Sequence, residues 1–188
     1  VDEAGRGPVI GPLVVAALAI PAEDIEILSE LNVRDSKDLS PNERLRIFTA
    51  INQRIEDGKW KSGLILCSPK RIDINSLTSD LNSLEIDLFS EAILATDLYL
   101  DSGVIRADAC DVNENRFRIR LQSSLGEKWN AWRIIGDHGM DSKDLVTGGA
   151  SILAKVSRDS AIEEIATRTG IEIGSGYPSC LLYTSPSP

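Results

Sequence analysis

Residues 2–20 read Asp2-Glu3-Ala4-Gly5-Arg6-Gly7-Pro8-Val9-Ile10-Gly11-Pro12-Leu13-Val14-Val15-Ala16-Ala17-Leu18-Ala19-Ile20. Two adjacent carboxylates run into a Gly-Arg-Gly turn, and the turn opens onto a β-branched, Ala-rich apolar run. Bounded by Pro8 and Pro21, residues 9–20 predict a strand buried on both faces. Carboxylates hold hard divalent cations, glycines let backbone N–H groups approach an anion, and arginine suits phosphate. Metal and phosphate chemistry within six residues points to metal-assisted work on a phosphodiester, provided that later strands end in further carboxylates.

The remaining chain reads as strands alternating with helices. Ser40-Pro41-Asn42-Glu43 is a capping box with proline at the first helical position, opening a helix that Gly58 stops. Its apolar face is expected to carry Leu45, Phe48, Ile51 and Ile55. Strands are expected over residues 60–67, 103–107 and 131–136, and helices over 79–100, 113–124 and 146–169. The long helix at 79–100 carries Leu81, Leu84, Leu88, Ile93 and Leu98 as its stripe. This alternation predicts an α/β domain with at least partly parallel pairing.

Composition agrees with one domain. The 188 residues are 42% apolar and 26% charged, and no apolar run approaches the roughly 18 residues of a membrane span. Cys67, Cys110 and Cys180 form no CxxC pair, which predicts neither a disulfide framework nor a zinc site and favours a reducing cytoplasm. A single histidine, His138, excludes mechanisms that need two and reads as a surface or loop residue. The net charge of −9 argues against nucleic acid, but metal-chelating carboxylates count as negative there and are neutralised in use. Basic residues also gather locally at 34–37 and 155–158.

Asp108 follows the apolar stretch Val104-Ile105-Arg106-Ala107, and Asp141 follows the strand through Ile134-Ile135. Strand ends are where open α/β sheets build sites, so Asp2, Glu3, Asp108 and Asp141 are expected to converge. Adjacent strand residues point to opposite faces, so Asp2 and Glu3 share a site only where their strand is ending, at Gly5. Ser151 and Lys155 stand at i and i+4, on one face near a helix N-terminus that favours phosphate. Reading them instead as a nucleophilic Ser-Lys dyad lacks any accompanying oxyanion signature.

Five blocks then carry a resemblance. Asp2-Glu3-Ala4-Gly5-Arg6-Gly7-Pro8, Arg34-Asp35-Ser36-Lys37-Asp38-Leu39-Ser40, Ala107-Asp108, Asp141 with Ala150-Ser151-Ile152-Leu153-Ala154-Lys155-Val156-Ser157-Arg158-Asp159, and Gly174-Ser175-Gly176-Tyr177-Pro178-Ser179 occur in order. Together, over residues 1–179, they resemble ribonuclease HII, with wording most similar to the archaeal branch.

The resemblance implies a ribonuclease H-like fold, a central mixed sheet flanked by helices. It implies an endonuclease that cuts the RNA strand of RNA–DNA hybrids, and cuts 5′ of single ribonucleotides embedded in duplex DNA, leaving 3′-hydroxyl and 5′-phosphate ends. On it, Asp2, Glu3, Asp108 and Asp141 hold two Mg2+ or Mn2+ ions. Gly5, Arg6 and Gly7 read the ribose 2′-hydroxyl and grip the adjoining phosphate. Tyr177 stacks on the sugar at the RNA–DNA junction, while Ser36, Lys37, Ser151 and Lys155 contact the nucleic-acid backbone. It implies a cytoplasmic monomer in ribonucleotide removal and hybrid turnover, with a sliding clamp as a further partner. The alternatives are another ribonuclease H-like nuclease of resolvase or transposase type, or an inactive nucleic-acid-binding fragment.

Three departures bear on the site. Asp144-Leu145 stands where the family has an aromatic-Pro pair, which makes Asp144 a rival ligand. Thr147-Gly148-Gly149 replaces a Ser-Ala type run and is expected to loosen the helix start. Cys180 stands in place of an aspartate. The chain reads as a fragment whose first strand is cut at Val1, with residues 180–188 a non-native tail beyond a catalytic domain of residues 1–179.

Overall fold

The computed structural model describes residues 1–8, 10–98 and 100–176. The first strand, β1 (Asp2–Ala4), pairs antiparallel with β2 (Leu13–Ala19), which pairs antiparallel with β3 (Lys61–Cys67). A second pair, β4 (Val104–Asp108) and β5 (Arg133–Asp137), is parallel. Val1 joins the two sheets: its nitrogen donates to the Arg106 carbonyl at 2.6 Å, and its carbonyl accepts from the Asp108 N–H at 3.1 Å. Those two bonds make one parallel step centred on Val1 and Ala107. The resulting order is β3-β2-β1-β4-β5, the mixed sheet that the alternating pattern predicts.

The alternation along β2 shows how the sheet is covered. Leu13, Val15 and Ala17 face one core, and Val14, Ala16 and Leu18 face another. The first core is closed by α4 (Leu81–Leu94) and α5 (Glu114–Leu125), where Phe89 and Phe117 meet edge to face. The second is closed by α1 (Ile25–Glu30), α2 (Pro41–Glu56) and α7 (Leu145–Thr169). Trp60 seals its rim, donating to Asp24 Oδ2 at 2.7 Å with Arg54 over its ring. A strand buried on both faces, the reading of the second strand from sequence, is what results.

Several boundaries differ from expectation. β2 begins at Leu13 rather than near residue 9, because Gly11 turns the chain at a φ of 97° and Pro12 follows; Val9 lies outside the described residues. The capping box at Ser40 and Glu43 forms, but the buried ridge of α2 runs through Ile47 and Ile51 while Leu45 is exposed. α4 stops at Leu94, six residues early, where the chain turns through Asp97 at a φ of 53°. α1, α3 (Pro69–Ser76) and α6 (Met140–Lys143) were not expected, being too short to show periodicity. α3 nonetheless repeats the Ser-Pro opening seen at α2, with Ser68 accepting from the Arg71 N–H.

Gly148 and Gly149 do not loosen α7, which is continuous from Leu145. Each gives room instead. A Cβ on Gly148 would stand 2.9 Å from the Asp141 carbonyl, and one on Gly149 2.8 Å from Leu18 Cδ2. The helix therefore lies close against α6 and the sheet.

Candidate active site

The site lies where β1 and β4 end. Val1 opposite Ala107 sets Asp2 beside Asp108, on the face covered by α6 and α7, and the pleat sends Glu3 to the other face. β1 persists to Ala4 before Gly5 turns at a φ of 105°, so the two carboxylates flank the end of the strand from opposite sides. Asp141 comes from α6, which is tied to β4 by the Met140 N–H donating to Asp108 Oδ1 at 3.0 Å. All four carboxylates line one open cleft of about 230 Å3, together with Gly5, Arg6, Gly7, Ser36, Lys37, Ser151 and Lys155. Of the candidates named from sequence, only Tyr177 is missing from this lining, and it lies outside the described residues.

The electrostatics are those of crowded, buried acid. Burial raises Asp2 from 3.8 to about 7, reinforced by Asp108 and Asp141 and opposed by a hydrogen bond from Ser151. Glu3 is raised well above the ordinary range by burial, then by Asp2 and Glu85. Asp108 is raised by burial and by Asp141, while the Met140 N–H pulls it back. Glu3 Oε2 is buried with no hydrogen-bond partner among the described residues. Among those residues no three acidic, His or Cys side chains are closed into a ligand cluster. The donor set nonetheless fits a divalent cation: hard oxygens only, one of them unpartnered, on carboxylates that raise one another.

The surrounding residues divide into two kinds. Lys37 faces Asp141 Oδ2 at 3.4 Å, with its side chain largely in solvent. Lys155 donates to Asp159 at 2.6 Å along α7. Ser36 and Ser151 are buried and share a hydroxyl–hydroxyl bond of 3.0 Å, with Ser151 turned to Asp2. Ser151 therefore braces Asp2, Ser36 braces Ser151, and both residues line the cleft.

Arg6 differs from what its place beside the carboxylates suggests. Its Nη1 donates to the Cys110 carbonyl at 2.6 Å and its Nη2 to Asn82 Oδ1 at 2.6 Å. Glu85 Oε2 lies 3.1 Å from Nη1 as an ion pair, while hydrogen-bond geometry from that nitrogen is met at the Cys110 carbonyl. The guanidinium thus turns back against α4, and the Gly-Arg-Gly backbone is left to line the cleft. Glu85 is completely buried and raised to about 7, by burial first.

Asn82 and Glu85 were missed in the sequence because they sit in an apolar helix stripe. A buried-type helix carrying an uncompensated glutamate is the signal that was available. Arg44, a further lining residue, was also missed; it donates to the Ser36 and Leu39 carbonyls at 2.7 and 2.5 Å, shaping the loop that carries Lys37. Asp144, the rival suggested by its place in the sequence, does not line the cleft. Its Oδ1 pairs with Arg106 at 3.0 Å, and its Oδ2 caps α7 through the Thr147 N–H at 2.8 Å. His138 contributes nothing to the cleft, binding the Asp111 carbonyl and Glu114 instead.

This arrangement has known counterparts. The sequence profile of ribonuclease HII matches residues 1–181. The chain belongs to the ribonuclease HII family. Ribonuclease HII from Pyrococcus furiosus is 42% identical over 179 residues, which cover 95% of this chain and 75% of that one. Among solved structures, the PCNA:RNase HII complex from Archaeoglobus fulgidus contains a chain matching with a TM-score of 0.82 and 31% identity, over 96% of this chain and 81% of that one. Ribonuclease H2 from Pyrococcus horikoshii matches with a TM-score of 0.80 and 36% identity, over 96% and 80%. The fold is therefore ribonuclease H-like, and the protein is an endonuclease of the type that hydrolyses RNA in RNA–DNA hybrids. Among the described residues no helix is long and apolar enough to cross a membrane.

Proposed function

We propose that this member of the ribonuclease HII family also cuts duplex DNA on the 5′ side of a single embedded ribonucleotide, leaving 3′-hydroxyl and 5′-phosphate ends, with Asp2, Glu3, Asp108 and Asp141 as its catalytic carboxylates. The observation that carries the reading is the convergence of these four side chains, from β1, β4 and α6, on one cleft beside the Gly-Arg-Gly turn. Two Mg2+ or Mn2+ ions held there would supply an activated water and a stabilised leaving oxygen.

The chain's own residues do the rest. Asp2 and Asp108, side by side on adjacent strands, present oxygens to one side of the cleft, and Glu3 supplies a buried, unpartnered oxygen from the other. Ser151 and Ser36 hold Asp2 in orientation. Residues 5–7 line the cleft, where their backbone is proposed to read a ribose 2′-hydroxyl and its phosphate. Lys37 and Lys155 offer positive charge to the strand backbone beyond the acids. Tyr177 is assigned to stack on the junction sugar, by resemblance alone.

The domain over residues 1–179, a cytoplasmic location and a monomeric state belong to the same proposal. So does a sliding-clamp partner, which the PCNA complex of the A. fulgidus relative supports. The test is a labelled duplex with one ribonucleotide, incubated with Mg2+ or with a chelator. Metal-dependent incision 5′ of the ribonucleotide, with a 3′-hydroxyl product, supports the reading; cutting of branched all-DNA substrates in preference, or binding without incision, refutes it.

A further inference from the structure

Arg158 lies on α7, one residue before Asp159 and three after Lys155, and is completely buried. A buried guanidinium is costly unless its donors and charge are matched. The matches come from two loops remote in sequence: Nη2 donates to the Ile10 carbonyl at 3.1 Å and Nη1 to the Ser175 carbonyl at 3.2 Å. Asp159 Oδ1, 3.9 Å from Nη1, supplies countercharge.

Three glycines close around the same side chain, all at positive φ: Gly5 at 105°, Gly11 at 97° and Gly176 at 76°. A Cβ on Gly5 would stand 2.7 Å from Arg158 Nε and 2.8 Å from its Cδ. One on Gly176 would stand 3.0 Å from Nη2 and 2.8 Å from the Ile10 carbonyl. One on Gly11 would collide with Ile162, the next residue of that face, at 2.3 Å. Backbone from two turns, at Gly5 and Gly176, therefore approaches one cation more closely than a side-chain-bearing residue allows, while the third, at Gly11, packs on Ile162 one helical turn further along.

We infer that Arg158 is a positioning residue that locks the Gly-Arg-Gly turn and the turn at residues 174–176 to α7 and to each other. Completely buried, it reaches no substrate itself; it sets the separation between the Gly-Arg-Gly turn, which lines the cleft, and the turn at residues 174–176. The inference rests on the proposed role of residues 5–7 in reading the ribose and deepens it. Lysine would keep the charge but, as a single point donor, cannot reproduce the planar fork that spans two carbonyls.

The test compares wild type with Arg158→Lys, Gly176→Ala and the double variant, on an RNA–DNA hybrid at a temperature where thermal melts show each one folded. Gly170→Ala is the control, since Gly170 has a similar φ of 67° with nothing within 4 Å of its Cβ position. Arg158→Lys and Gly176→Ala are each expected to raise KM roughly tenfold, the value of a lost charged hydrogen bond, with kcat within about threefold. The double variant should be no worse than the worse single, and Gly170→Ala should keep the wild-type KM.

Hydrogen exchange at the Arg6 and Gly7 amides should also quicken in Gly176→Ala, on a different turn from the substitution. If Arg158→Lys does not fold, Gly176→Ala against Gly170→Ala decides alone. An unchanged KM and unchanged exchange in Gly176→Ala overturn the lock. If wild type cleaves no ribonucleotide substrate, the functional reading fails, and exchange alone then supports or overturns the lock.

Discussion

The amide of Asp108 donates to the carbonyl of Val1 at 3.1 Å, across more than a hundred residues of chain. With the return bond from the Val1 nitrogen to Arg106, it fixes the register of β4 against β1. A shift of one residue would send Asp108 to the opposite face, away from Asp2 and from α6. The site is thus set by backbone pairing before any side chain is placed. The Met140 N–H then draws α6, and with it Asp141, onto the same corner.

That corner depends on how near α7 can come. Gly148→Ala should improve helix propensity by about 1 kcal/mol, yet its Cβ would press on the Asp141 carbonyl at 2.9 Å, and backbone gives way poorly. The expected net effect is a destabilisation of about 1–2 kcal/mol with weakened metal binding, measured by urea denaturation and by Mn2+ titration. Stabilisation with unchanged metal affinity would show that the close approach is not needed.

Arg6 separates anchoring from charge. Both Nη groups are used on Cys110 and Asn82, an arrangement that a lysine cannot copy. Arg6→Lys should therefore behave like Arg6→Ala, each raising KM for an RNA–DNA hybrid by about tenfold, the equivalent of one charged hydrogen bond. Near-complete rescue by lysine would mean that Arg6 acts as a phosphate-facing charge.

Stability without metal should fall as pH rises. Asp2 and Glu85 stand at about 7, raised from 3.8 and 4.5, so between those values the folded chain holds protons that the unfolded chain has lost. Their contribution is greatest below the unfolded values and fades as pH climbs to about 7, each by at most about 4 kcal/mol. Asp111, held at about 2 by its hydrogen bonds from Arg116, acts only below about pH 4 and leaves this window alone. Thermal melts should show the metal-free protein less stable at about pH 8 than at about pH 5, with Glu85→Gln flattening the decline. Millimolar Mg2+ should restore stability at the higher pH far more than at the lower, because a protonated Asp2 is a poor ligand. A flat profile that Mg2+ does not move would contradict the electrostatic account.

How legible the molecule is from its sequence depends on the range over which each cause acts. The capping box at Ser40 and Glu43 is a four-residue event, and it forms as read. The uninterrupted apolar run of β2 declares two buried faces, and two cores are found. Asp108 was legible as a strand-end carboxylate and is one; Asp141, expected just past a strand, reaches the same cleft from the short helix α6 instead. The turn of Arg6 toward α4 was not, since it depends on Asn82 and Glu85, some eighty residues away. Nor were the glycines of α7 read correctly: local propensity marks them as weak helix formers, whereas contact with Asp141 and Leu18 requires that they lack a side chain. Asp144 looked like a rival ligand by proximity in sequence, whereas in space it lies outside the cleft lining with its oxygens on Arg106 and Thr147.

The central claim is that the four carboxylates form one metal-dependent catalytic unit. It is tested most directly by Asp108→Asn, assayed in parallel for cleavage and for binding of the same RNA–DNA hybrid with Mg2+ present. The substitution keeps shape and the bond from Met140 while removing a charge that metal ions need. The account predicts a fall in kcat on the order of 10^3-fold, several kcal/mol of transition-state stabilisation, with hybrid affinity preserved within about threefold. Cleavage by Asp108→Asn at a rate near that of the wild type would contradict it.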